Sequence, residues 1–108
     1  MKVFSVFTWK IAPGRLQEAL GMAETAGKIH ERLGARAQTL VPLIGGDPST
    51  LLYSLEHDDI EAYGKFSKKL LADAEWNSLF KAMNEAMQAN PGTELISTQL
   101  LSEPWLPS

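Results

Sequence analysis

Two histidines are the residues of this chain that could most readily carry out chemistry. His30 falls within the helical stripe of Leu16, Leu20, Ala23 and Leu33. An imidazole on an apolar helix face can point into a pocket as a general base or a ligand-binding group. The alternative is a core histidine with one hydrogen-bond partner, the commoner role in such a setting. His30 is therefore a candidate catalytic residue, with a purely structural role as the alternative.

His57 is the second candidate catalytic residue. It ends a predicted strand, shares strand parity with Tyr53, and is followed directly by Asp58 and Asp59. Neighbouring carboxylates favour the charged imidazole, and such a histidine can take part in acid–base catalysis. The alternative is an exposed loop histidine beside a helix cap, with Asp58 as the capping residue and Glu61 completing a capping box.

Six aromatic residues are spaced so that they could line an apolar cavity between a sheet and its helices. They are Trp9, Tyr53, Tyr63, Phe66, Trp76 and Phe80. Such a cavity would accept a hydrophobic or aromatic small molecule. The alternative is that each one belongs to the packed core. The small residues Ala19, Ala23, Ala26 and Gly27 make the first predicted helix slim, which favours a cavity beside it.

Several chemistries lack the residues they need. The chain has no cysteine, which excludes disulfides, thiolate nucleophiles, iron–sulfur clusters and cysteine-ligated zinc. No His-x-x-x-His or Glu-x-x-His pair predicts a metal site. Gly45-Gly46 precedes a strand rather than a helix, so it does not form a phosphate-binding loop. We therefore expect neither a metal nor a cofactor.

Composition indicates one globular domain spanning residues 1–108, with 44% hydrophobic residues. The net charge is −3, and the 10 basic residues form no stripe, which argues against nucleic acid as the main partner. No stretch approaches the roughly 20 apolar residues of a membrane helix. A small chain without disulfides favours a cytoplasmic location.

Hydrophobic periodicity predicts four strands and three helices. The strands cover residues 2–11, 35–44, 50–56 and 93–101. The first helix takes Pro13 into its first turn and runs to Leu33, where Gly34 ends it. The second helix starts at Asp58, and the third is capped by Asp73 and ends before Asn90. This order predicts an α+β fold with one four-stranded antiparallel sheet.

All four predicted strands carry apolar residues on both faces. Helices can cover only one face of the sheet, so we expect a second copy of the chain to cover the other. Residues 102–108 form an irregular tail, in which Trp105 either clasps the partner subunit or caps the mouth of a pocket.

Several short strings in this order resemble the dimeric α+β barrel superfamily, over residues from Lys2 to about Glu103. The superfamily includes antibiotic-biosynthesis-type monooxygenases and NIPSNAP-like proteins. The strings are Trp9, Pro13-Gly14-Arg15, Leu33-Gly34-Ala35, Glu56-His57-Asp58-Asp59, Ala62-Tyr63 with Phe66, and Asp73 with Trp76.

The resemblance implies a ferredoxin-like β-α-β-β-α-α-β fold whose two sheets face each other in a homodimeric barrel. It also implies a pocket in each subunit. The haem-degrading branch places a histidine on its last long helix, where this chain has Met83 and Asn84, so haem is not expected. Three functions remain open, because this fold hosts unrelated chemistries. They are a homodimeric small-molecule-binding protein, a cofactor-independent monooxygenase or isomerase/cyclase acting on an aromatic or polyketide-like substrate, and a non-catalytic dimerisation or regulatory module.

Overall fold

The computed structural model of the chain describes residues 1–104, and Trp105 lies outside them. The strands are β1 (Val3–Ile11), β2 (Arg36–Leu40), β3 (Thr50–His57) and β4 (Thr93–Ser102). The helices are α1 (Leu16–Arg32), α2 (Ile60–Ala72) and α3 (Ala74–Ala89). The sheet has the order β2-β3-β1-β4 with every pair antiparallel, which confirms the predicted fold class.

The alternation of side chains along β1 and β3 decides which residues face the helices. In β3 the odd-numbered residues Leu51, Tyr53, Leu55 and His57 are buried, and the residues between them are half-buried. In β1 the odd-numbered residues lie opposite them in register, with Phe7 facing Tyr53. Residues directly opposite in a ladder share a face. The hydrophobic core therefore lies between these residues and the helices.

Small residues on α1 allow the helix to lie close to the sheet. Ala19, Ala26 and Gly27 are buried. A Cβ at Gly27 would be 3.5 Å from both the Ala37 Cβ and the Tyr53 hydroxyl. The space that the slim face leaves at Gly27 is thus about the size of one methyl group.

The predicted start of the first helix is wrong. The Ala12 carbonyl accepts a hydrogen bond from the Arg15 N–H at 3.1 Å, and Gly14 has φ of 79°. Proline followed by a glycine with positive φ forms a turn rather than a first helical turn. The helix therefore begins only at Leu16, while Gly34, with φ of 107°, ends it as predicted.

The second predicted strand is too long, because β2 ends at Leu40. Pro42 has no N–H for the ladder, and Gly45 and Gly46 have positive φ, so residues 41–49 form the loop of the β2–β3 hairpin. Leu43 and Ile44, predicted to belong to the strand, are 95% and 94% exposed there.

The predicted cap of the second helix is displaced by one residue. The Asp59 carboxylate accepts a hydrogen bond from the Ala62 N–H at 2.7 Å, which makes Asp59 the N-cap of α2. Asp58 accepts instead from Arg36 at 2.9 Å. Asp73 caps α3 as predicted, since it accepts from the Trp76 N–H at 2.8 Å.

The sheet face turned away from the helices carries apolar side chains, which we call the open face. Phe4, Val6 and Leu52 are half-buried on it. Leu40 and Leu101 are 46% and 45% exposed. Leu40 lies opposite Leu52, and Leu101 lies opposite Phe4, so these residues form one patch across all four strands.

Candidate functional site

His30 is buried, with 4% of its surface exposed. Its Nδ1 lies 2.7 Å from the Tyr53 hydroxyl, a hydrogen bond that joins α1 to β3. Burial, with a smaller contribution from the nearby His57, lowers the pKa of His30 from 6.5 to about 4. Burial also raises the pKa of Tyr53 above its usual range. Both groups are therefore neutral at physiological pH.

His57 is the most enclosed side chain of the described residues, with 1% of its surface exposed. The prediction of an exposed loop histidine is wrong, because Tyr63 and Phe66 of α2 fold over the imidazole, with ring centroids 5.3 and 4.9 Å away. The prediction that its charged form is favoured is also wrong. Burial lowers the pKa of His57, and Arg36 adds to this effect. Arg36 also forms ion pairs with Glu56 and Asp58.

The Nε2 atom of His57 is fully buried and has no hydrogen-bond partner among residues 1–104. Buried polar atoms in folded proteins usually have a partner, and an exception commonly marks a functional site or an ordered water molecule. His57 thus joins His30 as a neutral polar group in apolar surroundings.

A continuous row of aromatic rings leads from these histidines to the surface. The His30 ring lies 4.6 Å from that of Trp76, 5.7 Å from that of Phe66 and 5.6 Å from that of Tyr53. Trp76 is half-buried, and its ring centroid lies 5.8 Å from that of Phe80, which is 50% exposed. The row therefore connects a buried polar pair to solvent along α3.

The position of Trp76 over His30 depends on the junction between α2 and α3. Asp73 caps α3, and its two carboxylate oxygens accept hydrogen bonds from Arg32 at 2.9 and 2.8 Å. Glu75 accepts a further hydrogen bond from Arg32 at 3.2 Å. The bond from the Trp76 N–H and the contact with Arg32 hold the pKa of Asp73 below its usual range. This ion pair ties the start of α3 to the end of α1.

The structure gathers five of the six predicted pocket-lining residues around the histidines, directly or through Trp76: Tyr53, Tyr63, Phe66, Trp76 and Phe80. Trp9 packs against the same core without being a ring neighbour of either histidine in the described chain. Two surface clefts have other linings. One lies beside Arg15 and Met87, and the other beside Ile29 and Leu79.

Sequence reasoning missed two contributors to the site. The ring centroid of Phe7 lies 6.4 Å from that of Tyr53. Phe7 is two residues before Trp9 on β1, so the two side chains are on the same face of the strand, and this alternation could have identified it. Arg32 holds Asp73, but a pair separated by 41 residues leaves no signal in a single sequence.

Within residues 1–104, no group of three or more histidine, cysteine or acidic side chains is arranged to bind a metal ion. In the same part of the chain, the helices are too short or too polar to cross a bilayer.

Structural comparison places this architecture among known folds. A NIPSNAP domain protein from Burkholderia xenovorans superimposes with a TM-score of 0.66 and 18% identity over 100% of both chains. The fold is that of the NIPSNAP proteins. A NIPSNAP family protein from Agrobacterium tumefaciens strain C58 has a TM-score of 0.65 and 16% identity, over 93% of this chain and 86% of that chain.

An antibiotic-biosynthesis-monooxygenase-like protein from Chloroflexus aurantiacus has a TM-score of 0.58 and 11% identity, over 100% of this chain and 98% of that chain. No model of a protein family matches the sequence, and no curated protein matches it. The resemblance inferred from short strings is thereby confirmed at the level of the ferredoxin-like fold.

Proposed function

We propose that this chain is a homodimeric protein that binds an aromatic or hydrophobic small molecule at the ring cluster around His30. The observation that carries the proposal is the buried, neutral His30–Tyr53 pair at the inner end of an aromatic row that reaches solvent at Phe80. Ligand sites combine apolar walls with a few polar groups that fix orientation, and this cluster has that composition.

Access to His30 would come from a displacement of α3. No residue of α3 is buried, and its inward face consists of half-buried side chains such as Trp76 and Leu79. An element with few buried apolar contacts opens at a low free-energy cost. A ligand that takes the place of Trp76 over the imidazole would keep the aromatic contacts and reach the polar pair.

The open face supports the homodimer. Five apolar side chains from four strands form a patch that the helices leave uncovered: Phe4, Val6, Leu40, Leu52 and Leu101. Charged pairs lie at opposite ends of the same surface, Lys2 with Glu56 and Lys10 with Asp47. An apolar centre with a charged rim is the usual anatomy of a protein interface, and a second identical sheet matches it in shape and polarity.

The ligand site is tested by NMR titration of the full chain with acetophenone. The indole N–H resonances of Trp76 and Trp9 are assigned with the variants Trp76→Phe and Trp9→Phe. A site at His30 predicts a saturable shift of the Trp76 resonance while that of Trp9 stays in place. Equal shifts of both, or no saturation, would refute the site and leave the non-catalytic module as the better description.

The homodimer is tested by native mass spectrometry, where a dimer has twice the 11.9 kDa of the chain. Leu101 and Leu100 are adjacent on β4 and are 45% and 48% exposed, but only Leu101 is on the open face. Leu101→Glu should give a monomer, and Leu100→Glu should leave the dimer intact. A wild-type monomer, or a dimer that survives Leu101→Glu, would contradict the proposal.

A second candidate is a cofactor-independent monooxygenase or isomerase/cyclase with His30 or His57 as base. It is favoured by the unprotonated state of both imidazoles and by the monooxygenase-like neighbour in fold. A base with a pKa of about 4 accepts protons poorly near neutral pH, so binding remains the first choice. Oxygen consumption with hydroquinone that His30→Gln abolishes, while acetophenone still binds, would reverse this order.

A further inference from the structure

The hydrogen bond between His30 and Tyr53 can be arranged in two ways. Either the Tyr53 hydroxyl donates to Nδ1 and the imidazole hydrogen is on Nε2, or Nδ1–H donates to the phenol oxygen. The two atoms are 2.7 Å apart in both cases. The choice decides whether Nε2, the other nitrogen of His30, is a donor or an acceptor.

Burial keeps both partners neutral, so exactly one hydrogen on each group has to be placed. Tyr53 is only 7% exposed, and its hydroxyl has no second hydrogen-bond partner among residues 1–104. If Nδ1–H donated, the phenol hydrogen would be left without an acceptor in an apolar interior. Donation from the phenol instead pairs the Tyr53 hydroxyl with Nδ1 and leaves only the His30 Nε2–H without a partner. That nitrogen is not among the fully buried unpartnered atoms of the described residues, so the unpaired donor is the one that solvent or a ligand can reach.

The relative strengths of the groups point the same way. A phenol is a better hydrogen-bond donor than a neutral imidazole N–H, and an imidazole lone pair is a better acceptor than a phenol oxygen. His30 has no protein partner at Nε2 in the described chain, so no other contact favours the opposite tautomer.

We infer that Tyr53 is a positioning residue that holds His30 as its Nε2–H tautomer, so that His30 offers a neutral N–H donor to the ligand. The ligand class that follows is an aromatic compound with an acceptor oxygen, such as an aryl ketone, rather than one recognised through a donated hydroxyl. This inference deepens the proposed function and rests on it. It also replaces the base expected for His30 by a donor that would stabilise negative charge on a carbonyl oxygen.

The experiment has two readouts on the intact protein. Long-range ¹H–¹⁵N NMR of the histidine rings reports the tautomer of His30 without any ligand. Affinities are then compared for acetophenone, for ethylbenzene, which has the same skeleton without oxygen, and for phenol. One neutral hydrogen bond predicts that acetophenone binds about 5-fold more tightly than ethylbenzene.

Tyr53→Phe keeps the ring and removes the donor, so His30 should become a mixture of tautomers. With about half of His30 in the Nε2–H form, the preference for acetophenone should fall from about 5-fold to about 3-fold. Ser54→Ala is the control, because it also removes a hydroxyl next to Tyr53 on β3, but from the opposite face of the sheet, away from both histidines. It should leave both readouts unchanged.

An Nδ1–H tautomer in the wild type, or tighter binding of phenol than of acetophenone, would overturn the inference while leaving a site at His30. An Nε2–H tautomer with no binding of any probe would overturn the acceptor-bearing ligand together with the proposed binding function. Only the role of Tyr53 in fixing the His30 tautomer would then remain supported.

Discussion

Mild acidification is expected to destabilise this protein through His30. The pKa of His30 is about 4 in the folded state and 6.5 for the free side chain, because burial disfavours the imidazolium. The unfolded chain therefore binds more protons between these values, and stability falls as the pH falls from about 6.5 toward 4.

The magnitude follows from the two pKa values. Between about pH 7 and pH 5, proton uptake by the unfolded chain alone lowers the free energy of unfolding by about 2 kcal/mol for His30. Residual solvent screening reduces this to between about 1 and 2 kcal/mol. Carboxylates such as Asp73 and Glu56, whose pKa values are lowered in the folded state, contribute little in this window, because unfolded carboxyls titrate near pH 4 and the stability they provide is lost mainly below about pH 5.

The assay is urea unfolding at fixed protein concentration, at several pH values between 7 and 5. His30→Gln removes the titrating group and retains an acceptor for the Tyr53 hydroxyl, so its stability should depend less on pH than that of the wild type. His57→Gln removes the second lowered pKa, and the double variant should be nearly flat across the window. If His30→Gln follows the wild-type curve in parallel, His30 is not held neutral by burial and the reasoning fails.

Two further comparisons use matched pairs of residues. Asp59→Ala removes only the cap of α2 and should cost about 1 kcal/mol, whereas Asp73→Ala removes the cap of α3 together with the Arg32 contact. Asp73→Ala should therefore lower the melting temperature more and also shift the Trp76 indole resonance; equal effects of the two changes would count against Arg32 as an anchor of α3. Gly34→Ala should destabilise the protein by about 1 kcal/mol or more, because Gly34 has φ of 107°, which an alanine adopts only with strain. Crowding does not contribute, since no atom lies within 4 Å of the added Cβ. Gly64→Ala, inside α2 and equally uncrowded, should stabilise by about 0.5–1 kcal/mol, and thermal unfolding that shows the same sign for both glycines would contradict the backbone explanation.

Local patterns in the sequence were sufficient for the elements and for their inward faces. A period of two marked Leu51, Tyr53 and Leu55 as one face of a strand, and all three are buried. Asp73 was identified as a helix cap, and Gly34 as a helix stop, because each acts through bonds to backbone only a few residues away. The errors at Pro13 and Asp58 are also local. Pro13 suits a turn as well as the first turn of a helix, and Asp58 and Asp59 could each cap α2.

The environment of the two histidines lay beyond such patterns. His57 looked like a loop residue, because the adjacent aspartates are polar and nothing nearby in sequence covers it. Its burial depends on Tyr63 and Phe66, which reach it only when α2 folds back over the end of β3. The direction of its pKa shift was misjudged for the same reason, since burial outweighs charges that are next to it in sequence but directed elsewhere.

The sequence by itself determined the order of strands and helices, the apolar character of both sheet faces, and the placement of His30 on the inward stripe of a helix. These properties depend on periodicity and on turn residues, which are written along the chain. Only the tertiary structure decided that His30 meets the Tyr53 hydroxyl, that Trp76 covers it, and that Arg32 anchors the helix carrying Trp76. Those contacts join residues 23 to 46 positions apart, and they depend on how α1 and α3 lie against β3 and against each other, which no local pattern specifies.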